Sequence, residues 1–110
     1  MAYDEDLVNR LRELLADEDA VSEKKMFGGF AFLLRGHMSV CASRNGGLLV
    51  RINPADTDLF LERPHVAQMQ MGGRMIDGWL TVEPAALTTE NELAAWVERS
   101  VSFVNSLPAK

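Results

Sequence analysis

The stretch from Lys24 to Phe32 reads KKMFGGFAF and places two adjacent glycines between two short apolar runs. A Walker-type phosphate loop would have its glycines before a Lys-Ser/Thr pair at the start of a helix. Here the lysines precede the glycines, and a strand-like run follows them. Glycine has no Cβ and therefore suits a tight turn, a bulge or a sharp bend. The stretch therefore predicts a tight turn, a bulge or a sharp bend of a β-sheet at Gly28 and Gly29, and the alternative is close approach of a partner or small ligand to the bare backbone.

The segments around this bend continue the strand pattern, because short apolar runs alternate with turn signals at Gly36-His37 and Asn45-Gly46. An Asn-Gly pair favours the type I′ turn of a hairpin. Four strands are therefore predicted at residues 22–27, 30–35, 38–43 and 48–52. A second hairpin is predicted from residues 66–70 and 76–82, with its turn either at Gly72-Gly73 or at Asp77-Gly78.

Three helices are predicted by apolar residues at helical spacing. The first covers residues 4–17 and would bury its apolar stripe, which consists of Leu7, Val8, Leu11, Leu14 and Leu15. The second has Pro54 at its first position, ends before Pro64 and would bury Leu59, Phe60 and Leu61. The third begins at a capping box of Thr89 and Glu92, ahead of the apolar residues Leu93, Trp96, Val97, Val101, Val104 and Leu107.

The predicted order is one helix, four strands, a helix, two strands and a helix. Residues 1–110 should fold as a single α+β domain of two layers, with an antiparallel sheet packed on helices. The composition is that of a soluble globular protein, because 47% of the 110 residues are apolar and 25% are charged.

The same composition restricts the cellular context and the partners. A net charge of -5 opposes contact with phosphate backbones, so direct nucleic-acid binding is not expected. No apolar run approaches the roughly 20 residues of a membrane span. Cys41 is the one cysteine, and the N-terminus lacks a secretory pattern. We expect a cytoplasmic protein without a membrane partner.

The residue types that usually perform catalysis do not form a pattern here. His37 and His65 lack the spacing of a metal site, and Cys41 alternates with Val40 and Ala42 on a predicted strand, where sheet packing is the simpler role. No serine lies in a G-x-S-x-G turn. The sequence therefore predicts no catalytic residue, no metal and no cofactor.

Basic residues concentrate in the predicted sheet and its turns. They are Lys24, Lys25, Arg35, Arg44, Arg51 and Arg74. If helices cover one face, Leu49 and Arg51 point to the other face and make it both apolar and cationic. Such a surface suits an acidic protein partner, a second copy of the chain or, less well, nucleic acid. The alternative is scattered solubilising charge.

Three segments carry a family resemblance: EKKMFGGFAFLLRGHMSV from Glu23, GGRMIDGWLTVEP from Gly72 and WVERSVSFVNSLP from Trp96. The chain resembles the TfoX/Sxy N-terminal domain family. The resemblance implies a two-layer α+β domain of regulators of natural competence that act beside a cyclic-AMP-responsive transcription factor. Those regulators carry a helical C-terminal domain, which is expected to be missing here, so the chain is interpreted as a stand-alone copy. The family supplies no catalytic residues.

Two functional hypotheses follow. The first is a non-enzymatic regulatory domain that docks on a transcription component or forms a homodimer. Its candidate interaction surface consists of Lys24, Lys25, Gly28, Gly29, Arg44, Arg51, Arg74 and Trp79. The second is a small-ligand-binding domain or minor enzyme, in which Arg74 and Trp79 hold an anionic aromatic molecule near the glycine bend.

Overall fold

Three helices and six strands follow the predicted order in the computed structural model, which describes residues 4–26, 28–44, 46–71 and 73–108. The helices are α1 (Glu5–Leu14), α2 (Thr57–Leu61) and α3 (Glu90–Asn105). The strands are β1 (Val21–Met26), β2 (Gly29–Leu34), β3 (His37–Ala42), β4 (Leu48–Arg51), β5 (Val66–Met71) and β6 (Arg74–Val82). Short 3-10 turns at Pro54–Asp56 and Pro84–Ala86 precede α2 and α3. The predicted fold class is confirmed.

All six strands form one antiparallel sheet in the order β1-β2-β3-β4-β6-β5. The first four strands are a meander. After α2 the chain returns along the outer edge as β5 and then runs back as β6 between β5 and β4. The last strand in sequence therefore lies inside the sheet. The second predicted hairpin, formed by β5 and β6, is joined to the meander because β6 pairs with β4.

Of the structural alternatives predicted for the two glycines, the structure shows a tight turn between β1 and β2. Gly28 has a φ of 75° in the turn, and Gly29 is the first residue of β2. A Cβ added at Gly29 would lie 2.5 Å from the carbonyl oxygen of Ala42 and 3.1 Å from Sγ of Cys41. The second glycine is thus needed because β2 and β3 approach each other closely at this point.

The other predicted turns fall close to their expected places. Both Arg35 and Gly36 have positive φ, 51° and 86°, so the turn between β2 and β3 begins one residue before the predicted pair. At Asn45-Gly46 the first residue lies outside the described residues, and Gly46 has a φ of 92°. The type I′ assignment of that turn stays a prediction.

Of the two alternatives for the second hairpin, the turn lies between Met71 and Arg74, as the Gly72-Gly73 pattern indicates; Gly72 itself lies outside the described residues. Gly78 is instead an irregular residue within β6, with a φ of 83°. Its N–H donates to Oγ1 of Thr57 at 3.1 Å, and its carbonyl accepts from the N–H of Ile52 at 2.8 Å. β6 is thereby joined to the start of α2.

One face of the sheet is covered by all three helices. The main core contains buried residues of every helix and of the four central strands: Leu7, Val8, Leu11, Leu15, Phe32, Leu34, Val40, Ala42, Leu48, Val50, Ile52, Phe60, Leu80, Val82, Leu87, Leu93, Trp96, Val97 and Val104. The predicted burial of Leu59 is wrong, because its side chain is 61% exposed. The segment Pro54–Asp56 is a 3-10 turn, and in the short α2 that follows it is Phe60 that faces the sheet.

The start of α3 contains the predicted capping box in a modified form. Oγ1 of Thr89 accepts the N–H of Glu92 at 3.1 Å, as expected. The Glu92 carboxylate accepts from the hydroxyls of Thr89 and Thr88, at 3.0 and 3.4 Å. The cap therefore joins three side chains and fixes the first turn of the helix.

A buried pair of serines joins α3 to the sheet. Along β2 and β3 the register passes from Phe32–Val40 to Leu33–Met38, so Ser39 is the extra residue of a bulge. Ser100 of α3 donates to the Ser39 carbonyl at 2.9 Å, and the two hydroxyls lie 2.6 Å apart. Both side chains are fully buried, so their polar atoms pair with each other in place of water.

The close approach at Gly29 can be tested by Gly29→Ala. Because the added methyl would meet the Ala42 carbonyl, β2 and β3 must separate, and we expect a loss of about 1–3 kcal/mol in the free energy of unfolding, measured by urea denaturation. Gly73→Ala reports a different cost, that of a positive φ without a steric contact, since Gly73 has a φ of 80° and no heavy atom within 4 Å of an added Cβ. An unchanged free energy of unfolding in Gly29→Ala would contradict the proposed packing constraint.

Candidate functional site

The face of the sheet opposite the helices carries a second apolar cluster. Its centre is formed by Ala31, Cys41 and Leu49, which are buried. Four partly buried residues surround them: Leu33, Met38, Met69 and Trp79. The buried residues of all three described helices belong to the other core, so none of these helices covers this cluster. We call these seven residues the open-face cluster.

Arg51 and Trp79 lie at the border of the open-face cluster. They are directly opposite each other on β4 and β6. The guanidinium carbon of Arg51 is 5.7 Å from the centre of the Trp79 ring and 5.5 Å from that of Phe103 on α3. A guanidinium above an aromatic face is attracted by the ring quadrupole. The predicted orientation of Leu49 is confirmed, and Arg51 is half-buried between two rings rather than free in solvent.

The two adjacent lysines of β1 lie on opposite faces. Lys24 is opposite Ala31 of the open-face cluster, whereas Lys25 is opposite Phe30, which packs against the helix-side core. The same alternation turns Glu23 toward α1, where its two carboxylate oxygens accept from the guanidinium of Arg12 at 2.8 and 3.0 Å. Hydrogen bonding to Arg12 lowers the pKa of Glu23. Only Lys24 of the pair therefore belongs to the open face.

The remaining predicted site residues are spread over the sheet. The side chain of Arg44 lies against Gly28, with its Cδ 3.3 Å from the position of an added Cβ. Arg74 is exposed beside the second hairpin turn. Two strands lie between β2 and β6, so Gly29 and Trp79 are separated by three strand spacings, about 14 Å. The structure does not bring the glycine bend, Arg74 and Trp79 into one pocket.

The separation of charge between sheet and helices is only partial. Arg10 of α1 donates to Glu90 and to the carbonyls of Leu87 and Thr89. Arg35, which the sequence pattern assigned to the sheet, donates to the Val104 carbonyl at the end of α3, at 3.0 Å. These arginines connect elements of the fold and add little to either face.

Sequence reasoning missed a group of two aromatic and two basic residues between α2 and α3. The rings of Phe60 and Trp96 lie 5.4 Å apart, edge to face. The guanidinium of Arg99 covers both rings, and that of Arg63 lies over Phe60. Trp96 and Arg99 are three residues apart, so their common helix face was visible in the sequence. Their proximity to Arg63 was not visible in the sequence.

The comparison with known families gives a match that covers most of the chain. The sequence model of the TfoX N-terminal domain matches residues 13–104. The chain belongs to this family. No curated protein and no solved structure gives a match.

In this TfoX N-terminal domain the two histidines considered as metal ligands each contact another part of the fold. Nε2 of His37 donates to the Pro108 carbonyl at 2.6 Å, and Nδ1 of His65 lies 2.9 Å from the Glu83 carboxylate. Within the described residues, no three His, Cys, Asp or Glu side chains are grouped as metal ligands. No helix in the described part of the chain has the length and apolar character needed to cross a membrane.

Cys41 packs inside the open-face cluster. Its side chain is 3% exposed, and burial raises the pKa of the thiol, although a backbone hydrogen bond at Phe30 acts in the opposite direction. A reactive cysteine needs the reverse, because the thiolate is the nucleophile. The structure thus supports the packing role that the strand pattern indicates for this residue.

The buried thiol gives a testable reactivity. A disulfide reagent such as Ellman's reagent should modify folded TfoX N-terminal domain at least about tenfold more slowly than the urea-unfolded chain, because the thiolate is both inaccessible and disfavoured. Burial raises the pKa of the Cys41 thiol in the folded protein. The free energy of unfolding should therefore have its full value below the pKa of a free thiol and decrease as the pH rises above it. Cys41→Ala should remove that fall. Equal rates for folded and unfolded protein would contradict the prediction.

Proposed function

We propose that this TfoX N-terminal domain is a non-enzymatic interaction domain that docks on a protein partner through its open sheet face. The observation that carries the proposal is the open-face cluster, which extends over β2, β3, β4, β6 and β5 and which the described helices leave uncovered. The four residues around its centre are only partly buried, so part of their apolar surface remains in contact with solvent, and contiguous apolar surface of this kind usually marks an interaction site. A sheet face without a covering layer also offers a broad and rather flat contact area.

The charges on this face favour one kind of partner. Lys24 lies on it, and Arg51 lies at its border. Glu23 of β1 lies on the helix side and pairs with Arg12, and Asp77 of β6 accepts from Gln68 at 2.8 Å, so neither carboxylate forms an ion pair with Lys24 or Arg51. A partner that presents apolar side chains flanked by Asp or Glu would complement this face in both shape and charge.

Two other occupants fit less well. A second copy docked face to face would bring together two faces that both carry Lys24 and Arg51, and two cationic faces complement each other less well than a cationic and an acidic one. Nucleic acid would be repelled by the net charge of -5 and offers no apolar side chains for the cluster. The family resemblance points to a component of the transcription apparatus as the partner, in the cytoplasm.

Site-specific photo-crosslinking tests the docking face. The purified domain would carry a photoreactive amino acid at Met38, in the open-face cluster, or at Leu59, which is 61% exposed on the helix side. After irradiation in extract of the native cells, we expect a protein adduct from position 38 and not from position 59. The adduct would then be identified by mass spectrometry.

Lys24→Glu and Lys25→Glu provide matched variants, because these neighbours have the same chemistry but lie on opposite faces. We expect Lys24→Glu to reduce the adduct from position 38 at least about fivefold and Lys25→Glu to leave it unchanged. Equal adducts from positions 38 and 59, equal effects of the two lysine variants, an adduct only with a second copy, or an adduct removed by nuclease would each overturn the proposal.

A further inference from the structure

A second candidate site lies on the helix side, between α2 and α3, where two arginines lie at the surface over two buried rings. The guanidinium carbon of Arg99 lies 4.7 Å from the centre of the Trp96 ring and 4.9 Å from that of Phe60, while that of Arg63 lies 5.5 Å from Phe60. The aromatic rings thereby hold two cations next to each other on neighbouring elements.

Neither arginine is neutralised by an acidic side chain. Among residues 4–26, 28–44, 46–71 and 73–108, the ion pairs are made by Arg10, Arg12 and His65, and Arg63 and Arg99 have no carboxylate within 4.0 Å. The two adjacent arginines form a local positive site in a chain whose net charge is -5. Their donors remain available to an added acceptor.

The two cations also interact unfavourably with each other. Burial lowers the pKa of Arg99, the charge of Arg63 lowers it further, and the charge of Glu98 acts in the opposite direction. Holding two like charges close together while one is partly desolvated costs free energy. A bound anion would relieve both effects, whereas a purely structural role in covering the aromatic rings would relieve neither.

These side chains border a cleft of about 370 Å³, within the usual range of roughly 300–1,000 Å³ for small-molecule sites. Its apolar wall includes Val66, Ala86 and Trp96, and its polar wall includes Arg63, Arg99 and Asn91. One carboxylate, that of Glu92, also lines the cleft, but it accepts the hydroxyls of Thr88 and Thr89 in the helix cap. His65 lines it as well and is paired with Glu83.

We propose that this cleft binds a small organic anion that has an apolar body. Arg63 and Arg99 would donate to the two oxygens of a carboxylate or to a phosphate group, for which the planar guanidinium is well shaped. The apolar body would lie against Trp96, Val66 and Ala86. The chemistry of a guanidinium beside an indole is the one hypothesised from the sequence for Arg74 and Trp79, but here it belongs to other residues. The site is separate from the open face and goes beyond the proposed docking function.

The two tryptophans allow the cleft and the open face to be observed separately. The indole N–H signals of Trp96 and Trp79 would be followed by nitrogen-15 NMR, with Trp79→Phe assigning them. Phenyl phosphate, benzoate and neutral benzyl alcohol would each be titrated at constant ionic strength. We expect a saturable shift of the Trp96 signal with at least one anion, a constant Trp79 signal and no saturable effect of the alcohol. Comparison of the two anions shows whether phosphate or carboxylate is preferred.

Arg63→Gln tests the role of the paired cations. Arg63 is exposed, so the variant should fold, and loss of its charge-assisted hydrogen bonds should weaken anion binding about tenfold. Arg63→Lys should restore part of the affinity. Arg74→Gln removes an equally exposed arginine beside the second hairpin turn and should leave the affinity unchanged. No saturable shift, equal binding of the alcohol, or unchanged affinity in Arg63→Gln would overturn the proposal.

Discussion

The contact between α3 and the centre of the sheet is the constraint on which the other features depend. Apolar residues of α3 pack on β2, β3 and β4, and Ser100 binds the bulged Ser39 of β3 in the buried layer. In a two-layer domain, the apolar stripe of a helix and one face of the sheet bury each other. Because α1 and α2 pack on that same face, no helix in the described part of the chain covers the opposite one. The open-face cluster is therefore a direct consequence of this arrangement.

The two proposed surfaces differ in shape and in charge, and this difference leads to different ligands. The open face is broad and apolar, with Lys24 and Arg51 on it or at its border, which suits a macromolecule that contributes its own apolar side chains. The cleft beside α3 is small and concave, and its cations are concentrated in Arg63 and Arg99. Concave sites enclose most of a small ligand, so a few directed donors are sufficient to orient it. The two proposals assign partner docking and binding of a small anion to separate surfaces of one domain.

Most of the fold was predictable because its signals are local. The apolar spacing of α1, the cap at Thr89 and the glycines at the first turn each depend on residues close together in the chain. The failures arise where a long-range contact decides. Leu59 is exposed because a 3-10 turn precedes a very short α2 and Phe60 takes the inward position. The pocket expected from Gly29 and Trp79 does not form, since β6 inserts beside β4 and places two strands between those residues.

The sequence by itself determined the element order, the alternation that sends Leu49 to one face and Val50 to the other, and membership in the TfoX N-terminal domain family. Periodicity and turn chemistry carry this information, because they act over a few residues. Only the tertiary structure decided which face of the sheet the described helices leave uncovered and which charged side chains lie close together. Arg63 and Arg99 come together through the packing of α2 and α3 around Phe60 and Trp96, a contact between segments that local patterns do not relate.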